Sequence, residues 1–283
     1  MDERAQRWVA GPKVEDALQR VKQQNEHGIR GIIDKLGEGT KTQEDVLQNV
    51  AEYKKISDMI RIDKAQADIS IKLTSLGLGF DKQLAQSSID EIVHYASENN
   101  ILIWIDMEHS QYTDRTIEIF KNMHAKYPDN IAICLQAKLK RTPRDLEDLL
   151  KTGSKIRLCK GIYYEEPEVA LQDSDEIRKA FLKQMDTLFA KAKDFGIATH
   201  DQDIIDKALK KEPQNDRFRL QMLMGVRDNE KAELAKKHAL EEYIPYGEDW
   251  KPYVSRREIE LKRSLEPKKE KPSLLHKISS RFF

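Results

Sequence analysis

Short runs of β-branched and other apolar residues recur eight times along this chain, and stretches with helical spacing separate them. The runs are "IRGIID" at 29, "ISIKLT" at 69, "ILIWIDM" at 101, "IAICLQ" at 131, "KIRLCK" at 155, "GIATH" at 196, "RLQMLM" at 219 and "EEYIPY" at 241. The second to fifth are nearly continuous in apolar residues, the pattern of strands buried on both faces of a parallel sheet. Between the runs, Asp81 to Asn99 sets Leu84, Ile89, Ile92, Val93 and Ala96 on one helical face, and Ser174 to Phe195 does the same with Ile177, Phe181, Met185, Leu188 and Ala192. "TPRDLEDLLKTG" carries its own punctuation: Thr142 reads as N-cap, Pro143 as the first helical position and Gly153 as the stop. Strand and helix alternate without a long linker, so the pattern is α/β with parallel strands. Eight such units in roughly 250 residues predict a (βα)8 barrel of TIM type. The competitor is a doubly wound open sheet, which should show a glycine-rich phosphate turn after an early strand. "SLGLGFDK" offers Gly77 and Gly79, but Lys82 stands where the third glycine belongs, and the stretch reads as a loop.

Charge excludes some partners. With 49 basic and 49 acidic residues the net charge is zero, so no overall field favours nucleic acid. The two cysteines, Cys134 and Cys159, lie inside apolar runs without a CxxC spacing; they read as small buried hydrophobes, with no disulfide framework or zinc site. The start "MDERAQRWVAG" lacks an apolar leader and no stretch is long enough to span a bilayer, so a soluble, cytoplasmic protein is expected.

In a barrel the carboxyl ends of the strands carry the chemistry. Asp34 and Glu38 follow the first run, Lys72 and Thr74 are placed on the second, Asp106, Glu108 and His109 end the third, and Gln136 ends the fourth. Arg157 and Lys160 fall on the fifth, Thr199 and His200 end the sixth, Gln221 is on the seventh and Tyr243 on the eighth. Strands also end in polar residues merely on reaching solvent, and for any one of these that explanation weighs as much as function. Lys72 and Arg157 are harder to dismiss, since each lies in an apolar run where an unpaired charge is costly. They need anions from protein or ligand, and Asp106 in "WIDME" is the protein candidate. His200 reads equally as a satisfied core histidine, and no metal-ligand rhythm accompanies it.

Near the end, "YVSRREIE" places Arg256 beside Arg257 on a helical stretch. Adjacent side chains diverge by about 100°, yet two long guanidinium groups converge on one carboxylate from two sides, with Lys72 adding charge. Tyr243, Tyr246, Trp250 and Tyr253 supply aromatic walls. The ordinary alternative is a solvated face on which Arg256 pairs with Glu260.

Taken together, "WVAG", "GIRGIIDKLGEG", "ISIKLTSLGL", "IWIDMEHSQYTDRT", "ICLQAKLKRT", "RLCKGIYYE", "ATHD", "LQMLMGVR", "YIPYGEDWKPY" and "RREIE" resemble, in order, the proline dehydrogenase family over roughly residues 8 to 263. The resemblance implies a distorted (βα)8 barrel over residues 1–265 that binds FAD, with the last helix across the C-terminal mouth. It implies that Arg256 and Arg257 hold the carboxylate of L-proline with help from Lys72, that Leu223, Tyr243 and Tyr253 shape the ring pocket, and that Asp106 orders these groups. Arg157 would stand beside the reactive flavin nitrogen. Met107, Gln136, Lys160, Gly161, Ile162, Thr199 and His200 would contact FAD, and Glu260 would complete the terminal helix motif. The implied reaction passes hydride from proline to the flavin, giving pyrroline-5-carboxylate, with a quinone as acceptor and pyrroline-5-carboxylate dehydrogenase as the next enzyme. The chain departs from the family pattern at Lys138 and Lys140, usually tyrosines, at Ile162, usually alanine, and at Leu220, usually phenylalanine. The alternatives are another flavin barrel oxidoreductase, such as one resembling methylenetetrahydrofolate reductase, or a flavin-binding barrel without turnover.

Residues 262–283 hold seven basic and two acidic residues with a closing apolar set. The tail from 266 is either an amphipathic membrane-surface segment, giving peripheral attachment, or an ordinary packed helix or disordered end, and the second is slightly favoured.

Overall fold

The computed structural model describes residues 2–213 and 217–265. Among these, eight parallel strands follow one another around a closed ring: β1 (Arg30–Lys35), β2 (Ala67–Ile71), β3 (Ile103–Ile105), β4 (Ile131–Gln136), β5 (Lys155–Cys159), β6 (Phe195–Ala198), β7 (Phe218–Leu223) and β8 (Leu240–Tyr246). β8 returns to pair with β1, Tyr243 opposite Ile32, so no strand edge is left open. The eight apolar runs are these eight strands, and the open-sheet alternative is excluded.

After a single-turn helix α1 (Glu3–Gln6), the helices are α2 (Val14–Asn25), α3 (Gln43–Ile62), α4 (Lys82–Ser97), α5 (Thr113–Lys126), α6 (Thr142–Leu150), α7 (Ser174–Lys191), α8 (Gln202–Lys211), α9 (Asp228–Ala235) and α10 (Trp250–Leu265). Several start where a side chain satisfies the free backbone N–H groups of the first turn: Thr42 for α3, Asp81 for α4, Asp173 for α7 and Asp201 for α8. α6 corrects the sequence expectation. Thr142 is its first residue rather than its cap, and the Thr142 hydroxyl instead donates to the Gln136 carbonyl at 2.6 Å, tying the helix start to the end of β4.

The large apolar cluster lies between strands and helices, where Ile33, Ile69, Ile103, Ile133, Ile156 and Ile197 meet Val50, Ile89, Phe120, Leu149, Phe181 and Ile205. A second, small cluster of Ile32, Trp104 and Ala132 has Tyr243 packed on it. Side chains two residues apart along a strand share a face. Asp34, Asp106 and Cys134 therefore stand above Ile32, Trp104 and Ala132, inside the ring at the carboxyl end. At the other end of the interior, Arg30 pairs with Asp68 at 2.6 Å, while Arg219 and Gln221 reach Glu241 at 3.2 and 2.6 Å. Gly196 makes room there, since a Cβ on it would lie 2.8 Å from the Gln221 amide. Burial and the Asp68 charge push Glu241 up to about 7 against the pull of Arg219.

The chain divides into two units, Met1–Trp250 and Lys251–Phe283, and each is described by itself. The tail at 266–283 lies outside the described residues.

Candidate active site

Asp106, immediately past β3, is the hub of the carboxyl-end interior. One oxygen accepts from Arg157 Nη2 at 2.8 Å and Ser70 Oγ at 2.9 Å; the other accepts from the Tyr243 hydroxyl at 2.6 Å and Lys72 Nζ at 3.3 Å. Those donors come from β2, β5, β8 and the turn after β2, which are not neighbours of one another around the ring, so the contacts run across its interior. Burial alone would raise the Asp106 carboxyl, but Lys72 and Arg157, followed by the hydroxyl donors, hold it below the usual carboxylate range. Burial, then the Asp106 and Asp34 charges, lifts the Tyr243 phenol far above its ordinary value, so it stays a neutral donor.

Lys72 has a nearer partner that sequence reasoning left out of the site. Its Nζ lies 2.7 Å from Asp34 Oδ1, with both side chains buried. Burial works against the Lys72 ammonium, yet Asp34, Tyr243 and Asp106 together raise it well above the ordinary lysine value. The available signal was the step of two from Ile32, which carries Asp34 to the same face as the other interior groups. Lys72 also stands one residue beyond β2, and Thr74 lies in a 3-10 turn at Leu73–Leu76, so neither is on the strand as expected. That turn is fixed by buried Glu108, which accepts from the Thr74 backbone N–H at 3.0 Å and from the Thr74 hydroxyl. Burial outweighs these bonds and brings Glu108 up to about 7.

Arg157 lies 4.8 Å from the Trp104 ring and 5.6 Å from that of Tyr243, so its planar cation is stacked as well as paired. Its Nε and the Gln136 Oε1 are buried without a hydrogen-bond partner in the protein. Next to Gln136, Gly161 has φ +97°, and a Cβ there would fall 2.7 Å from Oε1 and 2.8 Å from the Lys138 stem. Lys160 is tied to Asp201 at 2.6 Å, and the Thr199 hydroxyl accepts from the Asp201 backbone N–H at 3.1 Å. These expected cofactor residues thus lie at the ends of β4, β5 and β6. Met107 is buried just past β3, and Ile162 is exposed. His200 accepts from the Leu223 N–H through Nε2 at 2.9 Å, which leaves its proton on Nδ1. Cys134 and Cys159 are free thiols in contact, Sγ to Sγ 3.5 Å.

In the second unit, Arg257 pairs with Glu260 at 2.6 Å, and its guanidinium carbon lies 5.5 Å from the Tyr253 ring.

A family model described as proline dehydrogenase matches residues 17–264. The chain belongs to the proline dehydrogenase family. Within it, the chain is similar to proline dehydrogenase 2 of Bacillus subtilis (strain 168), 32% identical over 254 residues that cover 88% of this chain and 84% of the relative. It is similar too to a proline dehydrogenase of Deinococcus radiodurans, 30% identical over 269 residues covering 92% and 87%. Among solved structures, proline utilization A (PutA) from Bdellovibrio bacteriovorus inactivated by N-propargylglycine superposes with a TM-score of 0.82 at 18% identity, over 90% of this chain and 32% of that one. A PutA mutant from Bradyrhizobium japonicum gives 0.75 at 18% identity, over 88% and 30%. This chain therefore spans about a third of those larger proteins and shares the barrel fold with them. Among the described residues no helix is long and apolar enough to cross a membrane.

Proposed function

We propose that this chain oxidises L-proline to 1-pyrroline-5-carboxylate, with FAD as hydride acceptor and a quinone as the final acceptor, as the first step of proline breakdown. The observation that carries the reading is the Asp106 hub. It brings a lysine from the turn after β2, an arginine from β5 and a tyrosine from β8 to one end of the barrel and holds each in a fixed direction.

The interior fits a flavin. Gln136 Oε1 and Arg157 Nε are buried polar atoms without protein partners, and the lack of a Cβ at Gly161 lets its backbone approach Gln136 closely. Gln136, Arg157, Met107, the Lys160–Ile162 turn, Thr199 and His200 would hold the group. FAD, when bound, supplies the acceptance of the hydride. Arg157 would then set a permanent cation beside the ring on which negative charge builds.

Arg256 and Arg257 would bind the substrate carboxylate through paired donors, with Lys72 assisting, while Leu223, Tyr243 and Tyr253 would enclose the ring and Glu260 would orient Arg257. Hydride can leave the carbon next to nitrogen only when the amine is neutral. Asp106 is kept ionised by its four donors and Tyr243 is kept protonated, so neither is suited to take the ammonium proton. Proline must shed it before the hydride moves, and kcat/KM for proline should rise toward alkaline pH. Peripheral membrane contact through residues 266–283, and a pyrroline-5-carboxylate dehydrogenase that takes up the product, belong to the same reading.

The test is anaerobic addition of L-proline to the purified, FAD-loaded protein. Loss of the visible flavin absorbance with formation of the cyclic imine is expected. A yellow protein that proline does not bleach would sink the proposal.

A further inference from the structure

Helix α9 buries one residue, and that residue is a lysine. Lys231 is 1% exposed, on the outer side of the strand ring. Its Nζ contacts Glu242 Oε1, lies 2.5 Å from Asp228 Oδ1 and donates to the Leu223 carbonyl at 3.0 Å. Glu242, fully buried on β8, is also gripped by Arg20 through two bonds of 2.7 and 2.9 Å. A buried pair of this kind gives little net stability, because desolvating both ions offsets their attraction, and an apolar side chain of similar volume would seat α9 as well. The contact an apolar residue could not supply is the bond to Leu223.

Leu223 ends β7, and side chains from outside the strand hold both of its backbone groups. His200 takes its N–H, Lys231 holds its C=O, and the next residue, Met224, donates to the Tyr243 carbonyl at 2.9 Å. The loop that follows is braced as well. Arg227, at φ +56°, donates to the His200 carbonyl at 2.7 Å, and Arg7 donates to the Gly225 carbonyl at 2.9 Å. Gly225 has no room for a side chain, since a Cβ would fall 1.8 Å from the Arg7 oxygen.

We propose that Lys231 is a positioning residue for substrate selectivity: from outside the barrel it fixes the Leu223 carbonyl, and so the wall that Leu223 presents to the substrate ring. The inference rests on the reading of Leu223 as part of the proline pocket. Without the lysine, the Leu223 carbonyl keeps only a 3.4 Å contact from the Val226 N–H, and the wall gains freedom.

The experiment compares wild type, Lys231→Met and Leu223→Ala, measuring kcat and KM for L-proline and for a proline carrying a ring hydroxyl, with thermal midpoints as the control for folding. Lys231→Met should raise KM for L-proline about five-fold with kcat nearly unchanged, the pattern of weakened uniform binding. It should also shift the ratio of kcat/KM between the two substrates in the direction that Leu223→Ala shifts it. A role confined to stability would lower the midpoint and leave that ratio alone. If Lys231→Met yields too little folded protein, the double change Lys231→Met with Glu242→Gln removes both buried charges and asks the same question. A selectivity unchanged in the Lys231 variant but altered in Leu223→Ala overturns the proposal. A selectivity unchanged in Leu223→Ala overturns the pocket reading beneath it.

Discussion

Lys72 faces Asp34 at 2.7 Å inside the strand ring, and Lys55 faces Glu15 at 3.1 Å between two outer helices. The geometries are alike, but the inner side chains are 9% and 0% exposed and the outer ones 49% and 53%. Water already solvates the outer pair, so its net worth is roughly 0–1 kcal/mol and falls with salt. The inner groups depend on the few buried partners around them, so removing one leaves a buried charge under-compensated and costs several-fold more than the pair ever contributed. Equal distances therefore conceal unequal consequences: the inner charges fix directions for chemistry, and the outer ones help align helices.

The comparison should break first at Asp106. Asp106→Ala strands Arg157 and leaves Lys72 with Asp34 alone, and we expect a loss of about 3–5 kcal/mol in denaturant unfolding, with proline turnover down at least ~100-fold. If stability instead changed as little as at an exposed pair, the inner network would be no different from the outer one. Arg256→Ala with Arg257→Ala tests cations whose proposed partner is the substrate. KM for proline should rise about 100-fold, the worth of two charge-assisted bonds, and intact turnover would remove the carboxylate clamp.

Glu241 sharpens the contrast through pH. Its folded value of about 7 lies above the ordinary 4.5, so the folded state holds this proton more tightly than the unfolded chain does. Its contribution is present in full below about 4.5 and is lost as pH rises through 7. Glu241→Gln should flatten that part of the stability curve by on the order of 3 kcal/mol; Glu108, which titrates in the same window, would keep part of the slope left over. The smallest effect is expected outside. Lys191→Ala, which removes the 2.6 Å pair with Glu147, should change stability by less than about 0.5 kcal/mol and leave kinetics alone.

Much of the architecture was legible because burial on both faces writes an apolar run into each strand, and eight runs with helices between them leave few arrangements. The Asp106 partnership with Lys72 and Arg157 was legible for a related reason, since a charge inside such a run demands an opposite charge. What escaped the sequence depends on which strands meet across a closed ring. Asp34 looked like any polar strand end until closure set it against Lys72. Lys231 and Glu242 gave no signal in the sequence, because no local pattern reveals that α9 buries its lysine. The Thr142 cap failed because a tertiary acceptor, the Gln136 carbonyl, claimed the hydroxyl.

The outer contacts also run from each helix to the next. Glu15–Lys55 joins α2 to α3, Asp58–Tyr95 joins α3 to α4, Asp90–Lys126 joins α4 to α5, and Asp114–Arg141 reaches the start of α6. Glu147–Lys191 and Asp186–Lys211 continue to α8, Gln202–Arg227 reaches α9, and Arg20–Asp228 returns to α2. Such a hoop, wrapped around strands that themselves have no first or last, carries no seam. A protease nick in one surface connection would leave two pieces still clasped on both sides of the cut, and halves produced separately should find each other and reassemble.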